Sequence, residues 1–131
     1  MKKLLLISTL LFSTLMFSTP SYAEWTKVSR GEDGVISYVD FERIRKHGGY
    51  VYFWKLTDYL KLTGQGYLSD KFYTQGDCKV FRLKVLSVVF HKEPMGNGPD
   101  NVVEPKGKHA IWVYPSPNSV FEQILESVCS Q

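Results

Sequence analysis

The sequence lacks the short motifs that mark common catalytic and nucleotide-binding sites. It has no GxSxG nucleophile elbow, no HExxH pair, no P-loop and no GxGxxG fingerprint. Its three histidines, His47, His91 and His109, are isolated near strand ends or turns, and no spacing joins them to a set of metal ligands. Asp40 and Glu42 point the same way on an extended segment, but charged residues at a strand end are mostly solvated. We therefore expect no enzymatic activity, no metal site and no cofactor.

Long hydrophobic runs are also scarce, since a single one is present and it lies near the N-terminus. A short basic start precedes an apolar run from 4 to 17, and Ser21 and Ala23 then supply the small residues of a signal-peptidase site. The run is shorter than the ~20 residues that a membrane span needs. We predict a signal peptide over residues 1–23, a mature chain of residues 24–131 and no membrane span after cleavage. No cysteine follows the cleavage site, so we expect no lipid anchor of the bacterial lipoprotein kind.

An excess of one charge sign is missing once the leader is removed. The full chain carries 16 basic and 13 acidic residues, and two of the basic residues, Lys2 and Lys3, belong to the leader. A nucleic-acid-binding domain is expected to keep a strong basic excess. The charge balance therefore predicts no nucleic-acid partner.

Cysteine is rare, and the two that occur, Cys78 and Cys129, do not have the CxxC spacing of thiol oxidoreductases. In an exported domain, which matures in an oxidising compartment, two cysteines favour a single disulfide over a redox-active or metal-binding thiol pair. Such a bond would close a loop of about 50 residues and stabilise the fold by about 4 kcal/mol.

Short segments rich in β-branched and aromatic residues, separated by glycine-containing turns, make up most of the mature chain. We predict six strands, over residues 24–29, 35–41, 50–60, 70–75, 79–91 and 110–114. The 50–60 segment is apolar on both faces at its start, which is typical of a central strand that is buried on both sides. Residues 93–108 hold three glycines and three prolines without periodicity, and this predicts a long loop.

The C-terminal segment has the pattern of a helix. Ser119 and Glu122 form a capping box, in which each side chain satisfies an N–H group at the helix start. The apolar residues that recur with the period of one helix face are Phe121, Ile124, Leu125 and Val128. Cys129 lies at the edge of that face. The pattern predicts an α+β domain, in which one C-terminal helix packs on a single antiparallel sheet of about six strands.

Tyrosines are concentrated in the middle of the mature chain. They are Tyr38, Tyr50, Tyr52, Tyr59, Tyr67 and Tyr73. They either fill the core of a small sheet or form a partner surface, because tyrosine supplies rigid, amphipathic contact area. A sheet covered by a single helix leaves one face open, and these tyrosines could cover that face against a second copy of the chain. A homodimer is therefore one interpretation.

The mature chain has one dense basic cluster. In an extended segment Arg43, Arg45 and His47 would share one face. Ile44 and Lys46 would lie on the other face. Such an arrangement could hold a sulfated glycan or an acidic protein partner, and Arg43, Arg45, Lys46 and His47 are our candidate ligand surface. The alternative is a solvated edge or turn whose charges discourage pairing between sheets.

These features, in this order, resemble the surface-adhesin protein E family. The segments that carry the resemblance are Glu24-Trp25, the strand Tyr38-Val39-Asp40, the aromatic central strand before Asp58-Tyr59, Gly76-Asp77-Cys78-Lys79 at the start of a long strand, and Trp112 to Ser119 leading into a helix that ends Val128-Cys129. The likeness covers nearly all of the mature chain. It implies a single antiparallel sheet of about six strands with a C-terminal helix, and it implies the disulfide between Cys78 and Cys129.

The resemblance also implies an exported binding domain, in the periplasm or at the cell surface of a Gram-negative bacterium. The adhesin for which the family is named binds host extracellular-matrix proteins and can dimerise. Our first hypothesis is therefore a small non-enzymatic exported domain that acts as an adhesin for host extracellular-matrix proteins. The alternative is a periplasmic accessory protein, such as an envelope-stress or inhibitor module, without a host ligand.

Overall fold

Seven strands form one antiparallel sheet in the computed structural model, which describes residues 23–103 and 110–131. The strands are β1 (Thr26–Arg30), β2 (Ile36–Val39), β3 (Arg45–His47), β4 (Tyr50–Asp58), β5 (Ser69–Asp77), β6 (Arg82–His91) and β7 (Asn101–Val103). Within these ranges there is one α-helix, α1 (Val120–Cys129). Single turns of 3-10 helix occur at Phe41–Arg43 and Pro94–Gly96.

The strand order is β1-β2-β4-β5-β6-β7, and β3 lies off this path because it also pairs with β4. β2 pairs with the second half of β4, from Lys55 to Asp58, and β3 pairs with the first half, from Tyr50 to Tyr52. The two short strands therefore share one edge of β4, and the sheet is six strands wide. The predicted α+β fold, one antiparallel sheet with a C-terminal helix, is confirmed.

Side-chain alternation along β4 places the core on one side of the sheet. Val51, Phe53 and Lys55 project to one face and are buried. Tyr52 and Trp54 project to the other face and are half-buried. The sequence predicts burial on both faces at the start of this strand, whereas the structure fully encloses one, because a single helix packs on the sheet.

Helix α1 covers the buried face of the sheet. Ser119 caps the helix by accepting a hydrogen bond from the N–H of Glu122 at 3.2 Å, and the Glu122 carboxylate accepts one from the N–H of Asn118 at 3.0 Å. The buried side chains of α1 are Ile124, Leu125 and Val128, and they share a core cluster with Val39, Val51, Phe53 and Leu83. The predicted cap at Ser119 and the apolar helix face are confirmed, but the Glu122 half of the capping box bonds to Asn118 because the N–H of Ser119 donates to the carbonyl oxygen of Ser116.

The sheet and α1 approach closely at Gly76 of β5. A Cβ atom here would lie 2.8 Å from Cγ2 of Val51 and 3.0 Å from Cδ1 of Leu125, so a larger residue would force the helix away from the sheet. Just beyond β5, Cys78 forms a disulfide with Cys129 at the end of α1, and their Cα atoms are 5.7 Å apart. The predicted disulfide therefore ties the helix to the turn between β5 and β6.

The last predicted strand, over residues 110–114, was assigned wrongly. Val113 exchanges two backbone hydrogen bonds with Leu83 of β6, at 2.9 and 2.7 Å, and within the described residues this isolated bridge is the only strand pairing of the segment. Pro115 and Pro117 follow at once, and proline has no N–H group to donate to a ladder. The β-favouring residues therefore make one bridge and no strand.

Strand β7 takes the outer edge of β6 instead, inside the segment that the sequence predicts to be a loop from 93 to 108. Asn101–Val103 pairs with Val88–Phe90, and Pro94–Gly96 forms a 3-10 turn earlier in the segment. Three residues among glycines and prolines are too few to show an alternating pattern, so the sequence gives no signal for this strand. Residues 104–108 lie outside the described part of the chain.

The start of β6 also differs from the prediction. The sequence extends this strand back to Lys79, but Phe81 has a φ of 62°, which is outside the extended region. Asp77 accepts hydrogen bonds from the N–H groups of Lys79 and Val80, at 3.1 and 3.2 Å, and so stabilises a turn. The strand therefore begins at Arg82.

Across residues 23–103 and 110–131, the structure contains no helix with the length and hydropathy needed to cross a membrane. The predicted signal peptide, apart from Ala23, lies outside these ranges.

Candidate functional site

The sheet face opposite α1 is here called the open face, and the strand register shows which residues it carries. One row of paired residues, the cross-sheet row, crosses four adjacent strands on this face. Its members are Arg45 of β3, Tyr52 of β4, Gln75 of β5 and Lys84 of β6. Paired residues project to the same side of a sheet, and Tyr52 alternates with the buried Phe53. The row therefore faces away from the helix.

Three aromatic side chains, here called the aromatic cluster, lie together on the open face. They are Tyr52, Trp54 and Tyr73. The ring centres of Trp54 and Tyr73 are 4.9 Å apart and those of Tyr52 and Tyr73 are 6.3 Å apart, distances at which aromatic pairs attract. The side-chain amide of Gln75 donates a hydrogen bond to the Tyr52 hydroxyl at 3.3 Å. All three side chains are half-buried, so the cluster forms an ordered aromatic floor that solvent still reaches.

The four residues of the predicted ligand surface occupy three different positions. Arg45 and His47 are exposed and lie on the open face, as strand alternation predicts. Lys46 projects to the helix side, where its ammonium group donates a hydrogen bond at 2.7 Å to a main-chain oxygen of the last residue. Arg43 ends a 3-10 turn, and its Nε lies 3.4 Å from Oδ2 of the buried Asp40. The structure therefore brings two of the four, Arg45 and His47, to the open face as strand residues.

Two cavities adjoin β3 and share the side chains of Arg45 and Tyr73. The larger, of about 710 Å³, is lined by Glu42, Arg43, Ile44, Arg45, Trp54 and Tyr73. The smaller, of about 580 Å³, is lined by Arg45, Lys46, His47, Tyr52 and Tyr73. Together they form a groove between β3 and the aromatic cluster, of a size suited to part of a ligand. Glu42 is the one acidic residue of the described lining.

A second group of aromatic and basic side chains lies at the far end of the cross-sheet row. The ring centre of Trp112 is 4.1 Å from the guanidinium carbon of Arg82 and 4.5 Å from Nζ of Lys84, both within cation–π range. The ring centre of Tyr50 lies 5.6 Å from that of Trp112. The sequence predicts Trp112 as part of a strand and gives no sign of this role, which depends on the single bridge that the segment makes to β6.

The carboxylate beside this group holds Arg82 in place. Arg82 Nε lies 3.0 Å from Oδ2 of Asp77. The hydrogen bond from the N–H of Val80, followed by those from Arg82 and the N–H of Lys79, lowers the pKa of Asp77, while burial opposes this shift. Asp77 therefore stays ionised at neutral pH and keeps the guanidinium group directed toward it.

Three basic side chains of the open face have no acidic partner among the described residues. In the described part of the chain, the basic side chains next to a carboxylate are Arg43 beside Asp40, Arg82 beside Asp77 and His91 beside Asp100, at N···O distances of 3.0 to 3.4 Å. Arg45, His47 and Lys84 form none of them. An anionic ligand would meet these side chains without displacing a carboxylate, which favours charge-assisted hydrogen bonds to the ligand.

Asp40 and Glu42, which the sequence predicts to point the same way on an extended segment, do not form a common site. Asp40 is buried next to Arg43. Glu42 is exposed, and the negative charge of Glu24 is the main cause that raises its pKa. One carboxylate is thus paired inside the fold and the other is solvated, an arrangement that offers no acid and base facing one substrate.

The histidines are also apart from one another. His91 is fully buried, with Nδ1 at 3.4 Å from Oδ1 of Asp100, while His47 lies on the open face. His109 lies outside the described residues. Among residues 23–103 and 110–131, no group of three or more histidine, cysteine, aspartate or glutamate side chains could hold a metal ion.

A cluster of charged residues is buried on the helix side of the sheet. Nζ of Lys55 lies 4.5 Å from the ring centre of Phe72 and 5.0 Å from that of Phe121. Asp70 is buried and accepts a hydrogen bond from the Tyr59 hydroxyl. Burial lowers the pKa of Lys55 and raises the pKa of Asp70, and the attraction between the two charges partly opposes both shifts. Because this cluster is enclosed, we assign it to the core and not to the candidate site.

Comparison with known proteins identifies a family whose sequence model matches this chain. The sequence model of the family described as surface-adhesin protein E matches residues 25–130. None of the curated protein sequences with which the chain was compared matches it.

The fold is similar to solved structures of Haemophilus influenzae protein E. For crystal form II of that protein the TM-score is 0.61 at 16% identity, over 86% of this chain and 91% of the other. For a second structure of it the TM-score is 0.60 at 16% identity, over 86% and 88%. For protein E from non-typeable Haemophilus influenzae the TM-score is 0.57 at 16% identity, over 86% and 79%. At this identity the likeness shows a shared fold.

Proposed function

Because the chain belongs to the surface-adhesin protein E family, we propose that it is an adhesin of a Gram-negative cell surface that binds a host extracellular-matrix protein and has no catalytic activity. The proposal includes export with removal of residues 1–23 as a signal peptide. The observation that carries the binding role is the groove on the open face, where Arg45 and His47 border the aromatic cluster.

The composition of this groove supports a role in binding. Arginine, tyrosine and tryptophan are the residue types that contribute most to protein interfaces, because they combine large contact area with directed polar groups. α1 packs on the opposite face, so the described part of the chain leaves the middle of the open face to a partner. Arg45, which has no acidic partner among the described residues, favours a partner that is acidic where it meets β3.

Surface display is the first expected result. Intact-mass measurement of the exported protein should give a chain that begins at Glu24. Protease treatment of intact cells should then remove the protein while a periplasmic marker stays intact. Protection of the protein until the outer membrane is permeabilised would contradict the adhesin and support the alternative of a periplasmic accessory protein.

The second expected result concerns the residues of the groove. Replacing Arg45 and His47 together by alanine should weaken attachment to matrix-coated surfaces about tenfold, since charge-assisted contacts are lost. Both side chains are exposed, so the free energy of unfolding should change by less than about 0.5 kcal/mol. Arg43 and Lys46 are left unchanged because they contact Asp40 and the chain end.

A control double variant removes positive charge elsewhere. Lys61 and Lys92 are exposed and do not line the groove, so their joint replacement by alanine should leave attachment unchanged. Equal attachment of the two double variants would show that the groove is not the binding surface. Attachment whose strength does not change with salt concentration would contradict a role for exposed charges, because salt screens such charges beyond about 8 Å at physiological ionic strength.

A further inference from the structure

We propose that the open face binds a sulfated polysaccharide chain, which lies across the strands along the cross-sheet row. This inference rests on the proposed function and names the ligand class of the same face. Its elements are two separated cations, a polar and aromatic floor between them, and an acidic residue that sets the position of the sulfate groups.

The spacing of the cations favours an elongated ligand. Arg45 and Lys84 stand at the two ends of the row, with β4 and β5 between their strands. Three strand spacings separate their backbones by ~14 Å. A single inorganic anion is too small to contact both side chains, whereas a linear polyanion contacts both while its middle lies on the sheet. Neither cation has a carboxylate partner among the described residues.

The floor between the cations suits sugar rings. Tyr52 and Gln75 lie between them in the row, and Tyr73 stacks next to Tyr52. Pyranose rings carry C–H groups on their faces, which pack on aromatic rings, and hydroxyl groups at their edges, which can bond to the Gln75 amide and the Tyr52 hydroxyl. An extended acidic peptide would instead take main-chain hydrogen bonds from a sheet edge, whereas Tyr52 and Gln75 of the floor lie on strands that are paired on both sides. The floor therefore favours a glycan over a peptide.

The charge of the surroundings sets where the sulfates lie. Glu42 lines the groove on the side of Trp54 and repels anionic groups there. Arg45 and Lys84 attract them to the row, and Trp112 holds the Lys84 ammonium group at 4.5 Å from its ring centre. The glycan would thus place sulfates at the ends of the row and sugar rings on the floor.

Titration of the purified mature protein with a size-fractionated heparin oligosaccharide tests this proposal. Binding should weaken as the salt concentration rises. Arg45→Gln and Lys84→Gln should each weaken it about tenfold, because each removes one charge-assisted contact. Tyr73→Leu should also weaken binding, since it removes a ring of the floor while keeping an apolar side chain at this position. Lys61→Gln, an exposed control outside the row, should leave the affinity unchanged.

Several outcomes would overturn the proposal. Equal affinity of Lys84→Gln and the natural protein would show that the ligand does not span the row. Desulfated heparin that binds as well as heparin would exclude recognition of sulfate, and polyglutamate that displaces heparin at equal charge would assign the face to acidic proteins. Self-association that buries the aromatic cluster and blocks heparin would assign it to a second copy of the chain.

The test separates this proposal from the adhesin function. A protein that is displayed on cells and attaches to matrix proteins but does not bind heparin leaves the adhesin standing and contradicts the glycan site. A purified protein that binds heparin through Arg45 and Lys84 but stays in the periplasm supports the glycan site and contradicts surface adhesion.

Discussion

Replacing Cys129 by alanine is expected to lower the free energy of unfolding by about 2–5 kcal/mol. The disulfide joins the last residue of α1 to Cys78 across 51 residues of chain, and without it the unfolded chain gains conformational freedom. A loss of this size is a large part of the about 5–15 kcal/mol that a small domain has in total. Urea denaturation followed by circular dichroism measures it.

The partner cysteine supplies the control. Cys78→Ala should cost about as much as Cys129→Ala, and the double variant should cost no more than either, because all three lack the same bond. Costs that add in the double variant would mean that the two side chains contribute separately and not as a cross-link. A loss below about 0.5 kcal/mol, the size of an ordinary surface substitution, would contradict the stabilising role of the disulfide.

The disulfide also borders the hairpin that carries the candidate site. A cavity of about 430 Å³ is lined by both cysteines and by residues 46–51, which include part of β3 and the start of β4. Lys46 adds a hydrogen bond from β3 to the last residue of the chain. The end of α1 and the strand of Arg45 and His47 are therefore supported by neighbouring contacts, so binding to the open face should be measured with oxidised protein.

The parts of the fold that local pattern determines were predicted from the sequence. Helix α1 has a capping residue at Ser119 and a 3.6-residue apolar period, and strands β4, β5 and β6 are long enough to show β-favouring runs. The two cysteines of the predicted mature chain indicated a disulfide. Strand β7 and the bridge at Val113 were not predictable, because their pairing depends on which edge of β6 is free and not on their own residues.

The candidate site was predicted in part. The basic cluster and the tyrosine-rich middle were both recognised as surface candidates. Gly48-Gly49 is a two-residue hairpin signal that would place Arg45 opposite Tyr52, but nothing in the sequence brings Lys84 into the same row. Their proximity follows from the register of four strands, two of which are distant in the chain. The predicted ligand surface included Lys46 together with Arg45, whereas strand alternation places Lys46 on the helix side.

The buried lysine is the clearest case of tertiary structure overriding a sequence pattern. Lys55 interrupts an apolar strand, and lysine is almost never fully buried unless it is paired. Strand alternation places it on the helix side with Phe53, where Phe72 and Phe121 enclose its ammonium group. Asp70 on the neighbouring strand supplies the opposite charge. Two buried charges in a small core make this pair a sensitive point for stability.

Replacing Lys55 by methionine is therefore expected to destabilise the protein by about 1–3 kcal/mol, because the Asp70 carboxylate stays buried and loses the attraction of the Lys55 charge. Methionine keeps a flexible chain of similar length, so the change isolates the charge from the packing. Lys61→Met makes the same chemical change at an exposed position and should shift the free energy of unfolding by less than about 0.5 kcal/mol.

Neutralising Asp70 as well should recover most of the free energy of unfolding that Lys55→Met loses. In the double variant Lys55→Met with Asp70→Asn no buried charge remains, and buried ion pairs can be replaced by uncharged groups at little cost. The loss in Lys55→Met alone should also shrink as the pH falls from neutrality. Burial raises the pKa of Asp70 in the folded state, and the Lys55 charge opposes this rise. Without Lys55, the folded variant binds a proton at Asp70 more readily than the natural protein does, so it gains more stability as the pH falls. Urea denaturation of the natural protein, Lys55→Met, Lys61→Met and the double variant, from neutral to acidic pH, measures both effects. A loss in Lys55→Met that neither Asp70→Asn nor acid reduces would show that the lysine acts through packing against the two phenylalanine rings and not through its charge.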